Sequence, residues 1–186
     1  MIKYIIFDIE TTGLSPLEKI KYIEERIVHK IVAIAALNIE NNIKEVFIGE
    51  DEKVMLTNFF NFIKEGNYFI GFNTDFDFNF IKVRALVNNV KINNNFNENN
   101  IIDLRKKLNS NQYAVGRLRD YCKLIGVNSS TENGEHMLEF YEKKEWDKIK
   151  EHCLEDIEIT KQLFNRCVNC NLLNLEDIKI KKEIIF

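Results

Sequence analysis

The sequence holds no apolar run approaching the roughly 20 residues that a membrane span requires. No secretory leader opens it either, since MIKYIIFDIE reaches Asp8 and Glu10 at once. A soluble, cytoplasmic protein with no membrane partner is therefore expected. An excess of charge of one sign is lacking too: 26 basic against 29 acidic residues leave a net charge of only −3. That removes any global electrostatic pull toward a polyanion, so nucleic-acid binding would need a local basic patch. Cysteine is sparse. Cys167 and Cys170 are spaced C-x-x-C, but the second pair that a structural zinc site draws on is missing, and Cys122 and Cys153 stand alone. Cys167 and Cys170 read instead as small apolar groups on one face of a helix. Disulfides are not expected without export.

What the chain does have is enough apolar material for one core. It has 186 residues, 45% hydrophobic, with 14 phenylalanines, and this suits one domain better than two. Residues 1 to 170 are assigned to that domain and 171 to 186 to a tail, either an added strand or a docking segment.

Ile2 to Ile9 is a continuous apolar run of the sort buried on both faces of a sheet. Residues 15 to 27 contain Pro16, the single proline, and read as a loop or short helix. IVAIAALNI at 31 to 39 is a second strand, and Asn41-Asn42 marks a hairpin turn into a third, Ile43 to Gly49. The pattern then changes. Residues 51 to 66 place Val54, Leu56, Phe59, Phe60 and Ile63 at helical spacing. A short strand, Tyr68 to Phe72, leads into a helix from about Phe76 to Val87. The asparagine-rich stretch 88 to 100 reads as a mobile surface loop, Ile101 to Leu104 as a last strand, and Tyr113 to Leu172 as helical with breaks between Gly126 and Gly134. A meander followed by alternating helix and strand predicts an α/β domain: a mixed five-stranded sheet, antiparallel and then parallel, flanked by helices. Ligands in such sheets gather at the carboxyl ends of the parallel strands. Asp8 and Glu10 stand there.

Residues i and i+2 of a strand share a face, so Asp8 and Glu10 project together. Two adjacent carboxylates suit chelation of a hard divalent cation, or simple solvation. A second group, Asn73, Asp75 and Asp77, opens a helix, where a carboxylate is favoured by the dipole or serves as a cap. A third, EHCLED at 151 to 156, puts His152 and Asp156 at i and i+4 of one helical face.

FDIETTGL, then NTDFD, then HCLED, in this order, resemble the three exonuclease motifs of the DEDD superfamily, 3′–5′ exonucleases of ribonuclease H-like fold. The resemblance spans roughly residues 1 to 165. It implies that Asp8, Glu10, Asp77 and Asp156 bind two divalent cations, Mg2+ or Mn2+, which activate water and stabilise the leaving 3′-oxygen. It implies that His152 helps deprotonate that water. His152 stands at H-x3-D, where the superfamily carries Y-x3-D or H-x4-D, and the chain is most similar to a ribonuclease H-like branch with the H-x3-D form. An imidazole is a suitable base near neutrality. His29 and His136 lie outside the motifs.

The resemblance further implies that Thr11, Thr12 and Leu14 hold the terminal nucleotide and that Asn73 belongs to the second motif. Candidate phosphate contacts are Arg84, the basic stretches 105 to 107 and 117 to 119, and Lys123, with Tyr113 and Tyr121 as candidate stacking platforms. A solvated helical face is the alternative for these groups. The expected substrate is single-stranded DNA or RNA, trimmed to nucleoside 5′-monophosphates. An endonuclease of the same fold or a non-catalytic nucleic-acid-binding module are the alternatives.

Overall fold

The computed structural model describes residues 2–13, 29–109, 115–128 and 136–173. Five strands, β1 (Tyr4–Thr11), β2 (Ile31–Asn38), β3 (Ile43–Ile48), β4 (Tyr68–Gly71) and β5 (Ile101–Asp103), form one sheet in the order β3-β2-β1-β4-β5. β1 pairs antiparallel with β2, and β2 with β3, whereas β1–β4 and β4–β5 are parallel. This is the expected mixed sheet, antiparallel and then parallel. The helices are α1 (Glu52–Phe62), α2 (Thr74–Val87), α3 (Leu104–Asn109), α4 (Leu118–Leu124), α5 (Met137–Glu142) and α6 (Trp146–Asn169). Among the described residues no helix is long and apolar enough to cross a membrane.

The central strand is apolar on both sides because both sides are covered. Tyr4 and Ile6 pack into a core built with α6 (Ile149, Cys153, Ile157, Leu163, Phe164). Ile5, Phe7 and Ile9 pack into a second core with α1 and α2 (Leu56, Phe59, Ile63, Phe80, Ile81). Strand alternation therefore carries Asp8 and Glu10 onto the α6 side, in line with Tyr4 and Ile6. Directly across from them on β2 stand Ala35 and Ala33, both fully buried. These small side chains leave room for α6 to approach the acids.

The details correct several sequence expectations. Val54 is 53% exposed, so the apolar face of α1 is Met55, Leu56, Phe59 and Phe60, with Asp51 capping through the Val54 amide at 3.0 Å. The asparagine-rich stretch is pinned: Phe96 is 2% exposed and its ring lies 4.9 Å from that of Phe69 and 5.4 Å from that of Phe7. Asn93 and Asn95 donate to the carbonyls of Phe60 and Gly66. Asparagine here supplies hydrogen bonds to an irregular backbone. Cys167 is buried as expected, but Cys170 is exposed past the end of α6, and all four cysteines are free thiols. The segment 15 to 27 and the tail from 174 lie outside the described residues.

Candidate active site

β4 is short. Its register with β1, Ile6 against Ile70, brings it to an end at Gly71, level with Phe7, so β1 runs on without a strand on that side. The first turn of α2 fills the gap. The Ile9 amide donates to Asp77 Oδ1 at 3.1 Å, which places Asp77 beside the acids of β1. The strand-to-helix turn is tight: a Cβ at Gly71 would come within 2.9 Å of the Phe7 carbonyl and 2.7 Å of Thr74 Oγ1, so glycine is required there. Asn73 holds the left-handed conformation at φ 64°. Its amide donates to Asp103 Oδ1 at 3.0 Å, and its own side-chain oxygen accepts from Arg105 at 3.1 Å. Neither Asn73 nor Asp75 caps α2 with its side chain; Asp75 pairs with Lys106 instead.

α6 supplies the rest. His152 Nε2 lies 3.1 Å from Glu10 Oε1 and 3.5 Å from Asp156 Oδ2. Ligand atoms of Glu10, His152 and Asp156 all fall within 4.8 Å of one another. Asp156 Oδ1 accepts from Arg119 Nη2 at 3.0 Å. β1, α2 and α6 thus bring Asp8, Glu10, Asp77, His152 and Asp156 together.

Gathering four carboxylates out of water has an electrostatic cost, and their protonation records it. Burial, and then the charges of Asp77, Asp156 and Glu10, raise the Asp8 carboxyl well above its usual range. Burial pushes Asp77 up to about 8, against the Ile9 amide, and Glu10 and Asp103 add to the rise. Burial pushes Asp156 up to about 6, with His152 and Arg119 opposing. His152 is pulled down by burial, but its hydrogen bond to Glu10 and the charges of Glu10 and Asp156 prevail and raise it. The cluster therefore retains protons near neutrality, a state that cations bound to its oxygens would replace. Hard oxygen donors with one imidazole at the margin suit Mg2+ or Mn2+.

The nucleotide-holding candidates fare unevenly. Thr11 Oγ1 donates to the Gly13 carbonyl at 2.6 Å, and Thr12 exchanges hydrogen bonds with Lys30 through both amide and hydroxyl. The turn so formed lies at the end of β1, beside Glu10. Leu14 and Tyr113 fall outside the described residues. Arg84 is not a phosphate contact: it is 4% exposed and forks onto the equally buried Glu52. Tyr121 packs its ring against Phe72, with its hydroxyl held by Asn109 and Val115, so it is committed to the fold rather than to base stacking.

Three residues of consequence lie outside the three motifs. His29 presses its ring on Gly13, where a Cβ would sit 2.4 Å from Nδ1. Asp103 accepts from the amides of Asn73, Arg105 and Lys106; its place immediately before the helix-forming LRKK was a capping signal. Arg119, in the stretch 117 to 119 read as a candidate phosphate contact or a solvated face, reaches Asp156.

A sequence profile of the RNase H superfamily matches residues 5–168. The chain is 37% identical over 182 residues to an uncharacterized protein of Methanocaldococcus jannaschii, an alignment covering 90% of this chain and 97% of that one.

Proposed function

Because the chain belongs to the RNase H superfamily, a family of nuclease-like domains, we propose that it is a 3′–5′ exonuclease of DEDD type. It trims single-stranded DNA or RNA and releases nucleoside 5′-monophosphates. The observation that carries this reading is the position of His152, within 3.1 Å of Glu10 and 3.5 Å of Asp156, among acids drawn from β1, α2 and α6.

Asp8, Glu10, Asp77 and Asp156 would hold divalent cations, two Mg2+ or Mn2+, which when bound supply Lewis-acid activation of water and neutralise charge at the phosphate. The chain's own residues do the remainder. His152 Nε2, the nitrogen that faces Glu10 and Asp156, accepts the proton of the attacking water in the neutral ring, the form it takes when cations rather than an imidazolium would balance those two acids. Burial of His152 at 6% side-chain exposure keeps that proton from bulk solvent. The Thr11–Thr12–Gly13 turn, braced by Lys30 and His29, offers a fixed edge for the terminal nucleotide. Asp103 and Asn73 set the start of α2, and with it the aim of Asp77.

The test uses oligonucleotides labelled at the 3′ end or internally, incubated with Mg2+, Mn2+ or a chelator. Stepwise shortening that requires a cation and is lost in Asp8→Ala is the expected result. Internal cuts would transfer the site to an endonuclease, and no cleavage with either metal would leave only a binding module.

A further inference from the structure

Arg119 belongs to none of the three elements that carry the acids. It lies in the first turn of α4, and its Nη2 meets Asp156 Oδ1 at 3.0 Å. The backbone beneath it is fixed: Cys122, one turn on, is fully buried with Sγ 3.8 Å from the Ile159 carbonyl of α6. The head group is not so confined. The Arg119 and Asp156 side chains are 21% and 17% exposed, against 5% for each partner of the Arg84–Glu52 pair. A long, partly exposed side chain on a fixed backbone can change partner without moving the fold.

The oxygen it occupies is one a cation would want. Asp156 Oδ2 already faces His152 at 3.5 Å, so the guanidinium takes the other oxygen of a carboxylate that brings one oxygen within 4.8 Å of a ligand atom of Glu10 and of His152. A partly exposed ion pair is weak. A divalent cation shared among several carboxylates is not.

We propose that Arg119 is an exchangeable counter-ion: it holds Asp156 in the metal-free protein, yields it to an incoming divalent cation, and then turns to the substrate phosphate. This rests on the nuclease reading above. The guanidinium fork suits a phosphate as well as a carboxylate, and the scissile phosphate arrives at the same acids. A permanent Arg119–Asp156 pair, serving only to aim the carboxylate, makes the opposite forecast for metal affinity.

The experiment is calorimetric titration of the full chain with Mn2+ alone, comparing wild type, Arg119→Gln and Arg119→Lys. Exchange predicts that Arg119→Gln binds Mn2+ about tenfold more tightly while melting earlier without metal, and that Arg119→Lys, which keeps the charge, falls between. Weaker or unchanged Mn2+ binding in Arg119→Gln overturns the proposal. In wild type, the Arg119 Nε–H resonance, identified by its loss in Arg119→Lys, shifts on saturation with Mg2+; an unmoved resonance means a permanent pair and overturns it as well. At saturating Mg2+, Arg119→Gln binds thymidine 5′-monophosphate about tenfold less tightly, the scale of one charge-assisted hydrogen bond; equal binding removes the phosphate step. Wild type that binds neither cation sinks the nuclease reading itself. Wild type that binds both, with no tightening in Arg119→Gln, sinks the exchange alone.

Discussion

The Ile9 amide hydrogen-bonds Asp77 Oδ1 at 3.1 Å, and this contact ties the acid end of the first strand to the start of the second helix. It exists because β4 ends at Gly71 and leaves that edge of β1 unpaired. With its carboxyl pushed up to about 8, Asp77 carries a proton at neutral pH in the metal-free protein, and an amide side chain can take its place with little disturbance. Asp77→Asn is expected to fold with a melting temperature near that of wild type in chelator. It should lose exonuclease activity by at least about 100-fold, the scale on which loss of one preorganised electrostatic group is felt. Melting curves in chelator, alongside initial rates on a 3′-labelled oligonucleotide in Mg2+, check both halves.

The same proton sets a pH dependence. Asp77 and Asp156 have folded pKa values of about 8 and about 6, above the ordinary 3.8, so between about pH 4 and those values the native state binds more protons than the unfolded chain. Stability then falls as pH rises, by about 1.4 kcal/mol per pH unit for each excess proton. His152, also raised, acts with the same sign: its contribution is complete below its unfolded pKa and is lost as pH rises through the folded one. In chelator the melting temperature should decline from pH 5 to pH 8, and in saturating Mg2+ the decline should flatten, because bound cations favour the deprotonated ligands. Asp77→Asn should decline less steeply than wild type, by about one proton. A wild-type profile that rises with pH in chelator would contradict the protonated cluster.

How far the sequence discloses this molecule depends on the range over which each residue finds its partners. The unbroken apolar run of β1 announces a strand buried on both faces, and i, i+2 spacing suffices to put Asp8 and Glu10 together. The helix spacing of His152 and Asp156 is equally local, and the order of three motifs on strand, turn and helix brings in Asp77. Arg84 shows the limit. A basic residue on a helix looks solvated until its partner is known, and Glu52 lies 32 residues away in another helix. Phe96, inside a stretch of asparagines, has the same character: its local sequence says loop, and only the gathering of Phe7, Phe59, Phe69 and Phe78 around it says core.

The Arg84–Glu52 pair carries a prediction about stability rather than catalysis. Glu52 accepts from Ile31 N, Arg84 and Asn88, and so joins the start of β2 to α1 and α2. Arg84→Met leaves a buried carboxylate without its counter-charge and should cost about 3–5 kcal/mol of unfolding free energy. Changing both, Glu52→Gln with Arg84→Met, should recover part of that loss, since no charge is then stranded. Denaturant unfolding of the two variants measures this. The KM of the folded Arg84→Met protein for an oligonucleotide, and its salt dependence, should match wild type; a raised KM would restore Arg84 to the phosphate contacts.

Gly13 and His29 offer the most local test of the nucleotide-holding turn. A Cβ at Gly13 would stand 2.4 Å from Nδ1 of His29, closer than any real contact, so in Gly13→Ala the ring or the turn must move. The turn is held by Thr12 to Lys30 hydrogen bonds at 2.9 and 3.0 Å, and neither Gly13 nor His29 belongs to either hydrophobic core, so the strain falls on the site and not on the fold. Gly13→Ala should raise KM several-fold with the melting temperature almost unchanged. His29→Ala removes the obstructing ring, and adding it to Gly13→Ala should return KM toward the wild-type value. That suppression separates a clash with one side chain from a general intolerance of alanine at this turn. If the double variant is as impaired as Gly13→Ala alone, His29 does not brace the nucleotide's edge.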